Sequence, residues 1–135
     1  MSPKIIHAVA FLLTKKGRFL AEKRAKNKKF DPGIWTIPGG KIEQNEKPEK
    51  AVKREAREEL GIKITQPRFL CTLTSPRHPV LVMHYFVIPK WSKKIRNLEA
   101  EKLAWVSLSN AKKLKLSTDR QAIGIFKANQ KKAAP

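Results

Sequence analysis

The stretch from Gly40 to Ile62 carries five charged residues at fixed spacings and ends in Gly-Ile. It reads Gly40-x5-Glu46-x7-Arg54-Glu55-Ala56-x-Glu58-Glu59-Leu60-Gly61-Ile62. Glu55, Glu58 and Glu59 stand at positions i, i+3 and i+4, and a helix places residues at this spacing on one face. The stretch therefore predicts a helix with three carboxylates on one side, facing away from the sheet on which its apolar stripe of Val52, Ala56 and Leu60 packs.

These three carboxylates predict a bound cation. Like charges one helical turn apart repel each other, so a helix keeps such a face when a cation offsets it. Carboxylate oxygens suit hard divalent cations, and proteins hold Mg²⁺ with few carboxylates together with substrate phosphates. The alternative is a solvated helix face on which Lys53, Arg54 and Arg57 pair with the glutamates.

The composition is that of one domain, residues 1–135, large enough to bury a core. The longest apolar runs are too short to span a bilayer, and we see no secretory signal. Cys71 is the only cysteine and lies in an apolar run, so we expect it to be buried and unpaired. These features predict a cytoplasmic protein that needs no membrane, as a monomer or homodimer.

The pattern of apolar residues predicts six strands and two main helices. The Pro-Gly-Gly segment before the charged stretch is expected to be a loop, and residues 109–115 a short helical turn. Pro48 suits the first helical position after an N-cap at Lys47, and Gly61 ends the helix. We expect strands at 5–14, 18–23, 34–37, 69–74, 80–88 and 103–108, and helices at 48–60 and 118–129. Helices on both faces of a mixed sheet give an α/β/α sandwich, an α/β (α+β) fold.

The charged stretch resembles the Nudix box, the signature of the Nudix hydrolases, with every fixed position filled. The preceding Trp35-Thr36-Ile37-Pro38-Gly39-Gly40-Lys41-Ile42-Glu43 resembles the entry to the box in the MutT-like branch. The resemblance implies the same fold over nearly the whole chain. It also implies Mg²⁺-dependent cleavage of a phosphoric anhydride in a nucleotide, with Mn²⁺ as a substitute.

By this resemblance the metal ligands are Glu55, Glu58, Glu59 and the carbonyl of Gly39. A further carboxylate comes from a later loop in the MutT-like branch, as a metal ligand or base. Glu99 stands at the matching distance before a tryptophan, and the alternative is a solvated loop residue. The general base is one of Glu55, Glu58 and Glu99, and the sequence does not decide between them.

Four other residues of the box have structural roles in the family. Glu46 and Arg54 hold the loop against the helix, and a pair of this kind fixes geometry more than it adds stability. Gly40 and Gly61 are the glycines that open and close the box.

Three substrate contacts are expected outside the carboxylate face, and the resemblance implies two of them, Arg24 and Asp119. Arg24 stands where the branch has an arginine near the base and sugar, and Lys41 is a phosphate contact. Asp119 falls where the branch reads a purine edge, although it equally fits a negative charge in the first turn of a helix. Ile37 replaces the phenylalanine of MutT-like purine pockets, which weakens the case for an oxidised guanine substrate.

Three functions fit the sequence. The first is a nucleoside triphosphate pyrophosphohydrolase that clears damaged or surplus nucleotides. The second cleaves ADP-ribose or another nucleoside diphosphate linked to a second group, because Pro76 lies at the spacing of some ADP-ribose-cleaving relatives. The third binds RNA or another polyanion, because the net charge of +19 attracts nucleic acid. A lysine-rich solvated surface is the favoured explanation of that charge, because the lysines are spread along the whole chain.

Overall fold

The computed structural model of the protein describes residues 4–77 and 79–133. The histidine at position 78, which the sequence places in a loop near the expected cleft, lies outside the described residues. The strands are β1 (Ile5–Lys15), β2 (Arg18–Lys23), β3 (Trp35–Thr36), β4 (Gly39–Lys41), β5 (Arg68–Ser75), β6 (Val80–Ile88) and β7 (Lys102–Ser107). The helices are α1 (Pro48–Leu60), a 3₁₀ helix (Leu108–Lys113) and α2 (Ser117–Ala133).

The seven strands form one mixed sheet in the order β3-β2-β1-β6-β5, with β4 beside β1 and β7 beside β2. β1 and β6 run parallel, and the other paired strands run antiparallel. The side chains of β1 alternate between the two faces. Val9, Phe11 and Leu13 pack on the side of α1, whereas Ala8, Ala10 and Leu12 pack on the side of α2. The α/β/α sandwich with a mixed sheet is confirmed.

The first helix begins and ends as the sequence predicts. Lys47 is the N-cap and makes no side-chain capping bond, and Pro48 is the first helical residue. Gly61 adopts a left-handed conformation (φ 67°) and donates its N–H to the carbonyl of Arg57. A residue with a Cβ is strained in this conformation, which explains the glycine.

One short strand is missing from the sequence-based prediction. The segment Gly39–Lys41, expected to be a loop, is β4, and it pairs antiparallel with Ala8–Ala10 of β1. A Cβ at Gly39 would lie 2.0 Å from the carbonyl oxygen of Val9, so the close pairing requires glycine. Runs of Gly-Gly lower strand propensity, and tertiary pairing overrides that preference here.

The expected burial of two side chains also needs correction. Cys71 is half-buried rather than buried, because β5 is the edge strand of the sheet. Glu59, expected to face away from the sheet, is 5% exposed and lies on the buried side of α1. It follows Val52 by seven residues, close to two full helical turns, so both point in the same direction.

No helix in the described ranges 4–77 and 79–133 is long and apolar enough to cross a membrane.

Candidate functional site

The loop between β6 and β7 closes the carboxyl end of α1. The last carbonyls of a helix have no partner within the helix. Here the N–H of Leu98 donates to the carbonyl of Glu59 (3.0 Å), and the N–H of Arg96 donates to that of Leu60 (2.9 Å). This loop is therefore fixed against the last turn of the helix.

A turn built by Asn97 then positions Glu99. The side-chain oxygen of Asn97 accepts the N–H of Ala100 (2.9 Å) and of Glu99 (3.3 Å), and its amide donates to the carbonyl of Ala100 (2.9 Å). Such local side-chain bonds favour a turn over a strand. Glu99 consequently reaches the glutamates of α1, although it is 40 positions or more from them in sequence.

Three carboxylates meet at this point. Glu55, Glu59 and Glu99 each bring one oxygen to within 4.8 Å of the others. Glu59 is buried, and its Oε2 has no hydrogen-bond partner among the described residues. We call these three residues the carboxylate cluster. A buried oxygen without a partner costs free energy unless a ligand satisfies it, and a cation between the three carboxylates would do so.

Glu22 borders the carboxylate cluster and was missed by the sequence analysis. It lies on β2 and is 4% exposed. Burial raises its pKa to about 7, and the charges of Glu99 and Glu55 act in the same direction against that of Arg24. The signal in the sequence was a glutamate that ends the apolar run Phe19-Leu20-Ala21 inside a predicted strand.

The charges of the carboxylate cluster oppose one another. Burial raises the pKa of Glu59 well above its ordinary value, and the neighbouring carboxylates of Glu22, Glu55 and Glu99 raise it further. Burial also raises the pKa of Glu55, although Arg54 offsets part of this effect. A divalent cation would neutralise this repulsion, so the cluster has the chemistry of a hard-cation site.

Glu58 lies outside the carboxylate cluster. Its side chain is 53% exposed and accepts a hydrogen bond from Arg54 Nη1 at 3.2 Å. It precedes Glu59 by one position, so the helix turns it away from the sheet. The structure therefore brings together Glu55, Glu59 and Glu99 from the sequence-based set of ligands and leaves Glu58 at the rim.

The two glycines of the predicted ligand loop have different neighbours. The hydrogen bonds from Phe11 to Pro38 and from Ile42 to His7 put Gly39 in a non-hydrogen-bonded pair, so its carbonyl points away from β1. A Cβ at Gly40 would lie 2.3–2.5 Å from the carboxyl group of Glu55. Glycine at position 40 thus lets that carboxylate lie against the backbone of β4.

Arg54 holds the loop after β4 against α1. Its guanidinium donates to Glu46 through two nitrogens (2.7 and 2.9 Å), to the carbonyl of Lys41 (3.0 Å) and to Glu55 (2.8 Å). The hydrogen bond from Arg54 lowers the pKa of Glu46 to about 2. A bidentate pair of this kind fixes both direction and distance. Arg54 therefore orients Glu55 of the carboxylate cluster while it anchors the loop.

A pocket adjoins the cluster and gathers the three predicted substrate contacts. Its lining includes Arg24, Lys41 and Asp119, together with both glycines of β4. The Nζ of Lys41 lies 5.0 Å from the ring centre of Phe30, and Arg24 Nε donates to the carbonyl of Phe30 at 3.0 Å. Phe30 is thus held at the wall of the pocket by two cationic residues.

An ion pair between two loops forms another part of the wall. The guanidinium of Arg77, in the loop after β5, donates two hydrogen bonds to Asp31 at 2.7 and 2.8 Å. Pro79 also lines the pocket, whereas Pro76 is exposed and is not among the lining residues in the described part of the chain.

Asp119 forms the inner end of the pocket. It is 1% exposed and accepts hydrogen bonds from the backbone N–H of Ile37 (3.1 Å) and from the hydroxyl of Tyr85 (2.6 Å). Burial raises its pKa to about 6, against the effect of these two donors. Asp119 therefore links α2 to the sheet from within, in addition to lining the pocket.

A family model of the NUDIX domain matches residues 3–125. The chain belongs to the Nudix family. As a Nudix hydrolase, it acts on phosphoric anhydride bonds.

Individual Nudix proteins resemble the chain over most of their length. It is 30% identical to the 8-oxo-dGTP diphosphatase of Buchnera aphidicola over 109 residues, which cover 81% of this chain and 82% of the relative. It is 28% identical to the CTP pyrophosphohydrolase of Escherichia coli, with 80% of each chain covered. The crystal structure of a MutT protein from Methanosarcina mazei superposes with a TM-score of 0.84 at 25% identity, covering 97% and 99% of the two chains.

The first prediction concerns Glu59 in this Nudix hydrolase. Replacing it by glutamine removes a buried charge that Glu22, Glu55 and Glu99 repel, so we expect the free energy of unfolding in EDTA to rise by about 1 kcal/mol. The same change should abolish the rise in melting temperature that Mg²⁺ causes by binding the folded state. Glu49→Gln, an exposed first-turn variant, is the control. Undiminished Mg²⁺ stabilisation of Glu59→Gln would contradict the assignment.

A second prediction concerns the buried carboxylate of Asp119. Because its folded pKa of about 6 exceeds its ordinary value of 3.8, the native protein binds more protons between these values and loses stability as pH rises through them. Asp119→Asn should lack this loss, so its stability relative to wild type rises from pH 4 to pH 7 in urea denaturation. Parallel stability curves for the two proteins would show that the pKa of Asp119 is not raised.

The matching variant Asp119→Ala removes both acceptor oxygens. The N–H of Ile37 and the hydroxyl of Tyr85 then lose their partner in the core, which should lower the free energy of unfolding by about 1–3 kcal/mol. Urea denaturation at neutral pH measures this cost. A stability equal to that of Asp119→Asn would mean that the two hydrogen bonds contribute little.

Proposed function

We propose that this Nudix hydrolase cleaves a nucleoside triphosphate to a nucleoside monophosphate and pyrophosphate, with Mg²⁺ as its cofactor and Mn²⁺ as a substitute. The observation that supports this most strongly is that Gly40 belongs to two features at once. It lines the pocket, and the carboxyl group of Glu55 packs against it. A nucleotide whose base and sugar occupy the pocket would therefore place its phosphates beside the carboxylate cluster.

The proposed metal ligands are Glu55, Glu59 and Glu99, with the carbonyl of Gly39 as a further ligand. When bound, a divalent ion neutralises charge on phosphate oxygens and lowers the pKa of a water molecule. Arg54 orients Glu55, and the Asn97 turn orients Glu99. This fixed arrangement matters because phosphoryl transfer depends on positioning and on charge stabilisation.

The substrate side of the proposed site is cationic. Arg24 and Lys41 lie at the pocket wall, where they would pair with the sugar and phosphates of a nucleotide. Leu81, Met83 and Ile37 give the pocket apolar walls against which a base can pack. The proposal does not specify the nucleobase of the substrate, because the similar proteins include an 8-oxo-dGTP diphosphatase and a CTP pyrophosphohydrolase.

In the proposed reaction, water attacks one phosphorus of the anhydride and the bond to the bridging oxygen breaks. The general base is one of Glu55, Glu58 and Glu99. Glu58 differs from the other two because its side chain is 53% exposed and it lies outside the carboxylate cluster. Membership of the cluster makes Glu55 and Glu99 the better-placed candidates.

The function is tested by hydrolysis of a nucleotide panel with Mg²⁺, with products separated by chromatography. We expect pyrophosphate and a nucleoside monophosphate from at least one triphosphate among 8-oxo-dGTP, CTP, dCTP, ATP and GTP. Glu55→Gln should lower kcat at least about 100-fold, because it removes both a ligand and a candidate base. Glu58→Gln, at the rim, should lose less than Glu55→Gln, and exposed Glu49→Gln should retain full activity.

Two outcomes would contradict the proposal. Release of ribose 5-phosphate from ADP-ribose, without triphosphate turnover, would favour the nucleoside diphosphate alternative. Unchanged turnover in Glu55→Gln would show that the chemistry takes place away from the carboxylate cluster.

A further inference from the structure

A lysine of the chain itself occupies the edge of the carboxylate cluster. Lys28 lies in the loop between β2 and β3, and its ammonium contacts Oε1 of Glu99, 71 positions away in sequence. Its charge also lowers the pKa of Glu59 and of Glu22, against the effect of burial. One cation from the loop after β2 therefore acts on the cluster.

Two other cationic side chains, those of Arg54 and Arg24, act on this region, and each has hydrogen-bond partners of its own. Arg54 pairs with Glu46 and contacts Glu55 from the outer side of α1. Arg24 acts on Glu22 and donates to a carbonyl of its own loop. Lys28 is the cation that contacts Glu99, the ligand supplied by the loop after β6.

The carboxylate of Glu99 cannot bind the ammonium of Lys28 and a shared metal ion at full strength at the same time. Glu99 brings an oxygen to within 4.8 Å of Glu55 and Glu59, which is the arrangement that a shared metal ion needs. An ammonium on Glu99 adds a second positive charge next to that ion. Like charges at contact distance repel strongly where water is partly excluded. The side chains of Lys28 and Glu99 are 32% and 37% exposed, so the ammonium has a route to solvent.

We propose that Lys28 is a tethered counter-ion of the carboxylate cluster, which a divalent cation displaces from Glu99 on binding. Without metal, Lys28 reduces the repulsion among the buried carboxylates. With metal, the ammonium is released but stays close to the site, because its loop also carries Phe30 and Asp31 of the pocket wall. The released group then pairs with the substrate phosphates. This last step rests on the proposed function, whereas the exchange of cations does not.

If the exchange takes place, removing the charge of Lys28 should destabilise the metal-free protein and strengthen metal binding. Lys28→Met keeps most of the side-chain length and removes the charge. In EDTA it should melt at a lower temperature than wild type, because the cluster loses its counter-ion. It should bind Mn²⁺ about fivefold more tightly, since the ion no longer competes with an ammonium. Lys28→Arg should behave as wild type in both measurements.

The matched control is Lys26→Met, an exposed lysine of the same loop. It removes one positive charge from the same region, so any general electrostatic effect on Mn²⁺ affinity appears in both variants. Mn²⁺ affinity is measured from the spectrum of the free ion in the absence of nucleotide. For the active protein, Lys28→Met should raise KM for the triphosphate several-fold and change kcat little, and Lys26→Met should change neither.

The outcomes separate this inference from the proposed function. Equal Mn²⁺ affinity in Lys28→Met and Lys26→Met, or weaker binding in Lys28→Met, would overturn the exchange of cations. Tighter Mn²⁺ binding with an unchanged KM would overturn the phosphate contact alone. Tighter Mn²⁺ binding in a protein that hydrolyses none of the nucleotides would support the exchange while the proposed function fails.

Discussion

Repulsion among buried carboxylates is the constraint around which this site is arranged. Glu59 is buried with an unpartnered oxygen, and Glu55, Glu99 and Glu22 raise the energy of its ionised form. Isolated buried charges are expensive, so such a group persists only when cations offset it. Arg54, Lys28 and, in our proposal, a divalent ion supply that compensation from different sides. In our proposal, this cost to stability is what favours the binding of a divalent cation at the site.

The fold meets this constraint by joining three segments that are distant in sequence. The last turn of α1 leaves carbonyls without partners, and the loop carrying Glu99 closes on them. The glycine at position 40 brings β4 against Glu55, and the same strand is the wall of the pocket. The same contacts therefore complete the helix terminus, bring the carboxylate cluster together and form one wall of the pocket.

The sequence predicted the helix, its caps and the layers, because periodicity and local chemistry encode them. The choice of Glu99 from a later loop came from the family resemblance instead. The sequence did not predict that Glu59 is buried, because the charge of a side chain masked its place in the apolar stripe. The strand β4 depends on the pairing of distant segments, which no local pattern reports. The sequence marks Glu22 as a glutamate within a strand, but its approach to the cluster depends on the same long-range pairing. The contact of Lys28 with Glu99 likewise arises only when two loops meet. The binding of nucleic acid that the charge of +19 suggests stays a prediction.

The central claim is that Glu55, Glu59 and Glu99 together hold a divalent cation. The most direct test is an anomalous difference map from crystals of the protein grown with Mn²⁺. The account predicts the strongest peak at coordination distance from an oxygen of each of these three carboxylates, with Glu58 outside the coordination shell. A strongest peak held by Glu58 on the outer face of α1, or no peak within the carboxylate cluster, would contradict it.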